Sequence, residues 1–208
     1  MSDFDDLYAT AAVFGTEPDP LLLRHVHRLA PAATVLDLGS GQGRHTLFLA
    51  HKGHAVVALD PSEVATQTVR DRVRDRVREQ TQGRSRELSV TAIQGGFADH
   101  RPGPVYDAVL AFGLIQLLSP EELARLIRRV AEWLAPGGLL FVTAFTTDDP
   151  AYPPKPGGLP MWLEPGEIVR LFADLNVIEH REGLGPWHHH GDGQPQRHAM
   201  AEAVFRRS

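Results

Sequence analysis

The sequence contains no cysteine, and this absence removes several kinds of chemistry at once. Disulfide bonds, thiolate metal sites and cysteine nucleophiles are excluded, because each needs a sulfur that the chain does not have. No apolar run approaches the roughly 18 residues that a membrane span needs, and the acidic N-terminus (MSDFDDLYAT) lacks the apolar core of a signal peptide. The sequence therefore predicts a cytoplasmic protein with no membrane contact.

A net positive charge is also missing, since the formal net charge is −5 at pH 7. Nucleic-acid binding is driven by cationic side chains that neutralise phosphates, so nucleic acid is not among the predicted partners. The one basic run, residues 70–78 (RDRVRDRVR), is interrupted by acids. Valines at 69, 73 and 77 recur every four residues there, which indicates one buried stripe of a surface helix.

What the sequence does contain is an alternation of apolar runs and helical patterns along 208 residues, enough for one α/β domain over residues 1–208. A Pro-Gly-Gly stop at 136–138 is predicted to end the third of the long helices, and five prolines make residues 146–160 a stiff surface loop. Strands are predicted at 34–38, 55–59, 88–93, 105–112, 139–145, 177–180 and 199–205, with helices at 44–51, 61–78, 119–135 and 166–173.

The most informative stretch is VLDLGSGQGRH, residues 35–45, where a buried strand leads into a helix through three glycines. Such a turn brings the backbone close to a ligand, but dinucleotide and other nucleotide cofactors both use it. The third glycine is one residue early for a dinucleotide turn, and Asp37 precedes the first glycine by two residues. A carboxylate there repels a pyrophosphate and attracts the ammonium group of a methionine moiety. The turn favours a cationic cofactor.

A second acid, Asp60, closes the predicted strand at 55–59, 21 residues after Gly39. An acid at this point can accept hydrogen bonds from both ribose hydroxyls of a nucleotide. Asp60 could instead cap the helix that begins beside Pro61, and Asp37 could be an ordinary turn acid. Tyr8 and Phe14 could pack over the cofactor or belong to a local core.

These residues resemble the class I S-adenosylmethionine-dependent methyltransferases, through VLDLGSGQGRH, VVALD, YDAVLAFGLIQLL and LAPGGLLFVTAF. The resemblance covers nearly the whole chain and implies a Rossmann-like, seven-stranded, mostly parallel sheet with helices on both faces and an antiparallel last strand. It implies S-adenosyl-L-methionine as the cofactor. The cofactor-binding residues that it implies are Asp37, Gly39, Ser40, Gly41, Gly43, Arg44, His45, Asp60, Pro61, Gly96, Phe97, Ala98 and Phe112.

One departure from the family lies after the third strand, where its members usually carry an acid that contacts the adenine amino group. This sequence reads IQGGFAD at 93–99, with glycine at the expected place. Asp99 could substitute from a few residues further on, or backbone groups at Phe97 and Ala98 could hold the adenine alone.

Within the class, the chain is most similar to tellurite-resistance-type methyltransferases, through GQGRHTLFLAHKGHAVVALDPS, MWLEPGEIVRLFADLNVIEHREG and the ending HHHGDGQPQRHAMAEAVFRR. That group shows a histidine followed about eight residues later by an arginine, a spacing that His189 and Arg197 share. The resemblance implies that residues 183–198 form a His-rich loop on the substrate side, with His189, His190 and Arg197 as catalytic residues.

The residues themselves leave three roles open for this loop: acceptor chemistry, a metal site, or an exposed polar segment. Adjacent histidines in an extended chain point to opposite faces, which disfavours a metal site, so no metal is predicted. The predicted reaction is methyl transfer to a small molecule, with a chalcogen oxyanion, a thiol or a hydroxyl group as acceptor. A nicotinamide-dependent oxidoreductase and a non-catalytic cofactor-binding module are the alternatives, and a monomer or homodimer is expected.

Overall fold

The computed structural model describes residues 4–9, 15–79, 88–101, 105–155, 158–185, 195 and 197–208. Two short 3₁₀ helices, Val26–Arg28 and Ile115–Leu117, accompany the regular elements. The strands are β1 Thr34–Leu38, β2 Ala55–Asp60, β3 Val90–Gln94, β4 Tyr106–Phe112, β5 Leu134–Phe145, β6 Asn176–Leu184 and β7 Ala199–Arg206. The helices are α1 Asp5–Tyr8, α2 Pro20–His25, α3 Arg44–His51, α4 Glu63–Glu79, α5 Pro120–Trp133 and α6 Glu167–Leu171.

The seven strands form one sheet in the order β3-β2-β1-β4-β5-β7-β6. Strand β1 pairs with β2, and β2 with β3, in parallel, whereas β7 is antiparallel to both β5 and β6. This topology confirms the predicted mostly parallel sheet with an antiparallel last strand. The chain divides into two compact units, Met1–Ala108 and Val109–Ser208, with the boundary inside β4.

In the first unit, the central strand β1 is buried on both sides, as expected for a parallel strand covered by helices. The side chains of Val35, Leu36 and Leu38 on β1 are at most 1% exposed. The predicted stripe of α4 is buried at Val69, although Val73 is only half-buried. Strand β3 begins two residues later than predicted and ends at Gln94.

In the second unit, α5 begins as its sequence predicts. The Ser119 hydroxyl accepts a hydrogen bond from the Glu122 amide while the Glu122 side chain accepts one from the Ser119 amide, and Pro120 occupies the first turn. Its buried face is a stripe at helical spacing, made of Leu123, Leu126, Val130 and Trp133. Within the described ranges, none of the helices combines the length and the apolar composition that crossing a membrane requires.

Two predicted boundaries around the Pro-Gly-Gly segment are wrong. Helix α5 ends at Trp133, and β5 starts directly at Leu134, so Pro136-Gly137-Gly138 lies inside the strand. The reason is a backbone ladder with the chain end: the Gly137 amide donates to the Arg207 carbonyl (3.0 Å) and the Arg207 amide to the Gly138 carbonyl (2.9 Å).

Two predicted loops also differ from the structure, one in where it starts and the other in how far it is buried. Gly183 and Leu184 pair with β7 and belong to β6, so the predicted His-rich loop at 183–198 begins only after them. The Pro-rich segment at 146–160 holds no helix or strand among its described residues, as predicted, apart from a bridge between Thr146 and Leu163. However, Thr146 and Asp149 are buried, so this segment is not purely a surface loop.

Candidate functional site

The glycine turn is held against the end of the neighbouring strand by backbone hydrogen bonds. The amides of Gly39 and Ser40 both donate to the Leu59 carbonyl, at 2.9 and 3.1 Å. Gly43 then adopts φ +84°, and a β-carbon there would lie 2.8 Å from Val69 Cγ2 on α4. A side chain is excluded at Gly43 by both conformation and space, so the turn places the N-terminus of α3 close to the ends of β1 and β2.

Asp60 is the last residue of β2, and its carboxylate binds the turn directly. One oxygen accepts from the Gly41 amide (2.8 Å) and the other from the Ser62 amide (2.9 Å). The helix cap that the sequence left open for Asp60 is supplied instead by Ser62, whose hydroxyl accepts from the Ala65 amide (3.1 Å) at the start of α4. An ionised carboxylate has about four lone-pair positions, so the two bonds to Asp60 leave acceptor capacity for ribose hydroxyls. Burial raises the pKa of Asp60.

Asp37 lies on β1 with 1% of its surface exposed, and the Thr46 hydroxyl donates to it at 2.6 Å. Burial raises the pKa of this carboxyl to about 6, although the Thr46 hydrogen bond and the positive charge of Arg44 oppose the shift. A buried carboxylate is costly unless a cation or further donors offset its charge. This site therefore favours a ligand that brings positive charge to Asp37.

Arg44 and His45 begin α3 and differ in charge. Burial lowers the pKa of Arg44, and the negative charges of Asp19 and Asp37 oppose this shift. The guanidinium therefore stays charged. Burial, with a smaller effect of Arg44, lowers the pKa of His45 to about 3. His45 is 4% exposed and is neutral near pH 7, so it adds no charge to the site.

Ser40 supplies an independent indication that the turn accepts a polar ligand. Its side-chain oxygen is buried and has no hydrogen-bond partner among the described residues. A buried hydroxyl without a partner loses the bonds that it makes in water, so such groups are usually satisfied by a ligand or an ordered water. S-adenosylmethionine carries an ammonium, a carboxylate and two ribose hydroxyls. The residues present fit these groups, with Asp37, Ser40 and Asp60 as their counterparts.

The N-terminal helix α1 covers this turn. A β-carbon on Gly41 would lie 3.1 Å from Tyr8 Oη, and the Gln42 side-chain amide donates to the Tyr8 carbonyl at 3.0 Å. The Ser62 hydroxyl donates to Asp5 at 2.5 Å, which joins α1 to the start of α4. Of the two roles that the sequence left open for Tyr8, its position beside the turn favours the one at the cofactor. Phe14 lies outside the described residues.

A cavity of about 290 Å³ lies beside the end of β3. Its apolar walls come from Leu59 and Ile93, and its backbone floor from Gly95 and Gly96. Asp99, which is exposed, also lines it, whereas Phe97 is buried and Ala98 half-buried. The residues predicted on the adenine side, Gly96, Phe97 and Ala98, thus belong to one short segment. Pro61, another predicted cofactor residue, is exposed and follows β2 directly.

The remaining predicted residues belong to the second unit. Phe112 ends β4, with its ring 6.5 Å from that of Phe141. Arg197 is exposed, and His189 and His190 lie outside the described residues. Among the residues that the structure describes, no group of three histidines or acids could hold a metal ion.

Sequence reasoning missed one arrangement, a hydrogen bond of 2.9 Å between His198 Nδ1 and the buried carboxylate of Asp149. The two residues are 49 positions apart, so no local pattern joins them. The available signal was the pair of acids that follows β5, because open α/β sheets bind ligands at the carboxyl ends of their strands.

Comparison with known proteins agrees with this geometry. The sequence profile of a methyltransferase domain matches residues 35–138, which span the glycine turn and both acids. The chain is 24% identical over 186 residues to a probable S-adenosyl-L-methionine-dependent methyltransferase TehB of Haemophilus influenzae, covering 89% of this chain and 58% of that protein. It is 33% identical over 112 residues to (S)-coclaurine N-methyltransferase of Thalictrum flavum, covering 52% of this chain and 28% of that protein.

Among solved structures, TehB from Haemophilus influenzae superposes with a TM-score of 0.77 at 20% identity, over 99% of this chain and 66% of that one. This likeness establishes the fold. The chain spans 28% and 58% of the lengths of the two curated relatives above.

The profile match covers half of the chain and includes the residues that form the glycine turn. The same residues therefore support both the family assignment and the geometry of the site. Of the function classes that the sequence left open, this finding supports the transferase and gives no support to a nicotinamide-dependent oxidoreductase. The chain therefore belongs to the methyltransferase domain family.

Proposed function

We propose that this methyltransferase acts on a small molecule whose nucleophile is a hydroxyl group, a thiol or a chalcogen oxyanion. The observation that carries the methyl-transfer part of the proposal is the pair of buried carboxylates at the glycine turn, Asp60 at the end of β2 and Asp37 one residue before the end of β1. Their pKa values are raised by burial, as expected for acids that await cationic or hydroxyl partners.

In this proposal the first unit holds the cofactor. Asp37 and Ser40 bind the methionine portion, Asp60 accepts from the ribose hydroxyls, and the segment at Gly96 holds the adenine. The bound cofactor supplies an electrophilic methyl group on a sulfonium. The rest of the proposed cofactor set is the turn glycines Gly39, Gly41 and Gly43, with Arg44, His45, Pro61, Phe97, Ala98 and Phe112.

The acceptor side is proposed in the second unit, with His189, His190 and Arg197. Transfer from a sulfonium is an in-line displacement, so the protein has to align the nucleophile at roughly 3–3.5 Å from the methyl carbon. A histidine suits a nucleophile that must lose a proton, and Arg197 suits an anionic acceptor. The similarity to TehB and to an N-methyltransferase supports a small-molecule acceptor.

A screen of oxyanions, thiols and phenols for release of S-adenosylhomocysteine tests this function. We expect acceptor-dependent release from at least one class, and none from an Asp60→Ala variant at low cofactor concentration. If no small molecule promotes release while the protein binds the cofactor, the chain acts on another kind of acceptor or only binds the cofactor.

The raised pKa of Asp37 predicts that cofactor binding depends on pH. Burial raises this pKa to about 6, and a cationic ligand binds the ionised form. Affinity should therefore be constant between this pH and about pH 8, where the ammonium group of the cofactor loses its proton, and should fall by up to about tenfold per pH unit below pH 6. Calorimetry in two buffers of different ionisation enthalpy should show proton release at pH 6. Asp37→Asn should remove that part of the dependence, and an unchanged slope would contradict the assignment.

A smaller effect on affinity is expected at the adenine side, where this sequence has a glycine in place of the acid that the family usually carries. If Asp99 accepts from the adenine amino group, Asp99→Asn should weaken S-adenosylhomocysteine binding about fivefold, equivalent to about 1 kcal/mol. The amide presents one acceptor oxygen where the carboxylate presents two. The control is Asp75→Asn, which removes an exposed acid on α4. Equal affinities in the two variants would mean that backbone groups hold the adenine.

A further inference from the structure

Asp149 organises the residues that follow β5 and precede β7. One of its oxygens accepts from the Ala199 amide (2.7 Å) and from His198 Nδ1 (2.9 Å), and the other accepts from the Ala151 amide (2.7 Å). The Asp149 side chain is 1% exposed, whereas that of His198 is 17% exposed. The carboxylate is thus internal, and the imidazole reaches the surface of the second unit.

This hydrogen bond determines the tautomer of the imidazole. An ionised carboxylate can only accept, so the proton of neutral His198 has to be on Nδ1. The lone pair is then on Nε2, which becomes the basic nitrogen of the ring. A proton taken up at Nε2 leaves the hydrogen bond from Nδ1 to the Asp149 carboxylate in place.

Aromatic side chains flank the imidazole. The His198 ring lies 4.6 Å from the Phe145 ring, between centroids, and Phe145 stacks on Trp162 at 5.4 Å. Tyr152 packs against Trp162 at 5.7 Å and is 44% exposed. The Trp162 indole is fixed by a hydrogen bond from Nε1 to the Leu159 carbonyl (3.2 Å). Half-buried rings next to a polar group are typical of sites for planar ligands.

The position of His198 and Asp149 in the sheet also supports a role in ligand binding. Phe145 is the last residue of β5, and the Thr146 amide donates to the Ala199 carbonyl at 3.0 Å, which brings the start of β7 to the end of β5. The carboxyl end of a parallel-sheet strand is where open α/β sheets bind their ligands. The His198–Asp149 pair therefore lies at a functional edge of the fold.

From these observations we infer that His198 accepts the proton of the methyl acceptor, that Asp149 is its positioning residue, and that the acceptor is a hydroxyl group on an aromatic or heteroaromatic ring. The inference rests on the proposed function and narrows it. Phe145 and Trp162 provide the apolar surface for the ring of the acceptor.

The proton and electron balance is complete without any further reagent. The acceptor oxygen forms a bond to the methyl carbon, and the carbon–sulfur bond breaks with its electron pair on sulfur. The proton of the hydroxyl moves to Nε2 of His198, and the resulting imidazolium is paired with Asp149 until solvent removes the proton. The products are the methyl ether, S-adenosylhomocysteine and one proton.

A purely structural role is the alternative, since Asp149 also joins two backbone segments through Ala151 and Ala199. His198→Asn separates the two roles, because an Asn amide can donate to Asp149 as Nδ1 does but contains no basic nitrogen. The matched control is His180→Asn, which alters a second histidine–carboxylate pair among the described residues of this unit, His180 with Glu182 at 3.0 Å on β6.

The assay uses phenols whose pKa lies above the assay pH and thiophenols that are already ionised at that pH. We expect His198→Asn to lower kcat for the phenols by about 10²-fold or more, to spare the thiophenols, and to leave S-adenosylhomocysteine affinity unchanged. His180→Asn should match the unmodified protein. Equal losses for both acceptor classes, or no loss, would overturn the proton-acceptor role.

Histidine ¹⁵N spectra give a readout that does not depend on turnover. The resonances of His198, identified by their absence in His198→Asn, should show a protonated Nδ1. Asp149→Asn should abolish this fixed tautomer and lower kcat for phenols while His198 itself is retained. If His198→Asn does not fold, turnover of Asp149→Asn decides, and full activity on phenols in that variant would overturn the pairing.

Two failures can be told apart. If no phenol is methylated although the protein binds S-adenosylhomocysteine and methylates another acceptor, the inference about the acceptor class is wrong and the proposed function stands. If no small molecule of any class is methylated, the proposed function itself fails.

Discussion

An Asp60→Ala variant is expected to bind S-adenosylhomocysteine about 5- to 150-fold more weakly than the unmodified protein. The ribose hydroxyls would lose a buried acceptor, which costs about 1–3 kcal/mol. Asp37→Ala should weaken binding over a similar range, because the ammonium group would lose its carboxylate partner. Calorimetric titration measures both effects.

Loss of folding has to be separated from loss of binding, because Asp60 also accepts from the Gly41 and Ser62 amides. Asp107→Ala is the matched control. Asp107 accepts from the Thr34 amide (2.7 Å) and hydroxyl (2.9 Å) at the start of β1, the opposite end of that strand from the glycine turn. It should lower the thermal midpoint and leave the affinity unchanged. Unchanged affinity in folded Asp60→Ala would remove Asp60 from the site.

Substituting the residues proposed on the acceptor side should lower turnover and leave the affinity for the cofactor unchanged. His189→Ala and Arg197→Ala should bind the cofactor normally and lose turnover by about 10²-fold or more, because groups proposed to orient the acceptor or stabilise its charge are lost. Arg197→Lys discriminates further, since lysine keeps the charge but not the planar fork that binds an oxyanion through two bonds. Steady-state release of S-adenosylhomocysteine measures these losses.

The outcome also separates the three roles that the sequence left open for the His-rich loop. A metal site predicts that chelation abolishes activity and that added zinc restores it. Full activity in both alanine variants would assign the loop to a solvated surface segment. A loss confined to Arg197→Ala and absent in Arg197→Lys would show that charge alone is required.

The glycine turn could be predicted from the sequence because its determinants are local. A buried apolar run, three glycines and a helix follow one another, and β1 and α3 have the predicted bounds. Asp37 and Asp60 could be placed for the same reason, since each has a fixed offset from the end of a strand. The capping box at Ser119 is equally local, and α5 begins within one residue of its predicted start.

The incorrect predictions arise where distant segments determine the structure. Pro136-Gly137-Gly138 has the composition of a helix stop, but its pairing with Arg207, about 70 residues later, makes it part of β5. Asp149 is buried in a segment whose prolines suggest an exposed loop, because it satisfies the Ala199 amide and His198. Ser40 could be named from the motif, but only packing shows that its hydroxyl is buried without a partner among the described residues.

The central claim is that Asp37 at the glycine turn selects a sulfonium cofactor over a dinucleotide, while Asp60 binds the ribose. Parallel calorimetric titrations with S-adenosylmethionine and with NAD, at about pH 7.5 where Asp37 is ionised, test it most directly. We expect saturable binding of S-adenosylmethionine that Asp37→Ala and Asp60→Ala both weaken, and no measurable binding of NAD. Saturable binding of NAD, without binding of S-adenosylmethionine, would contradict the account.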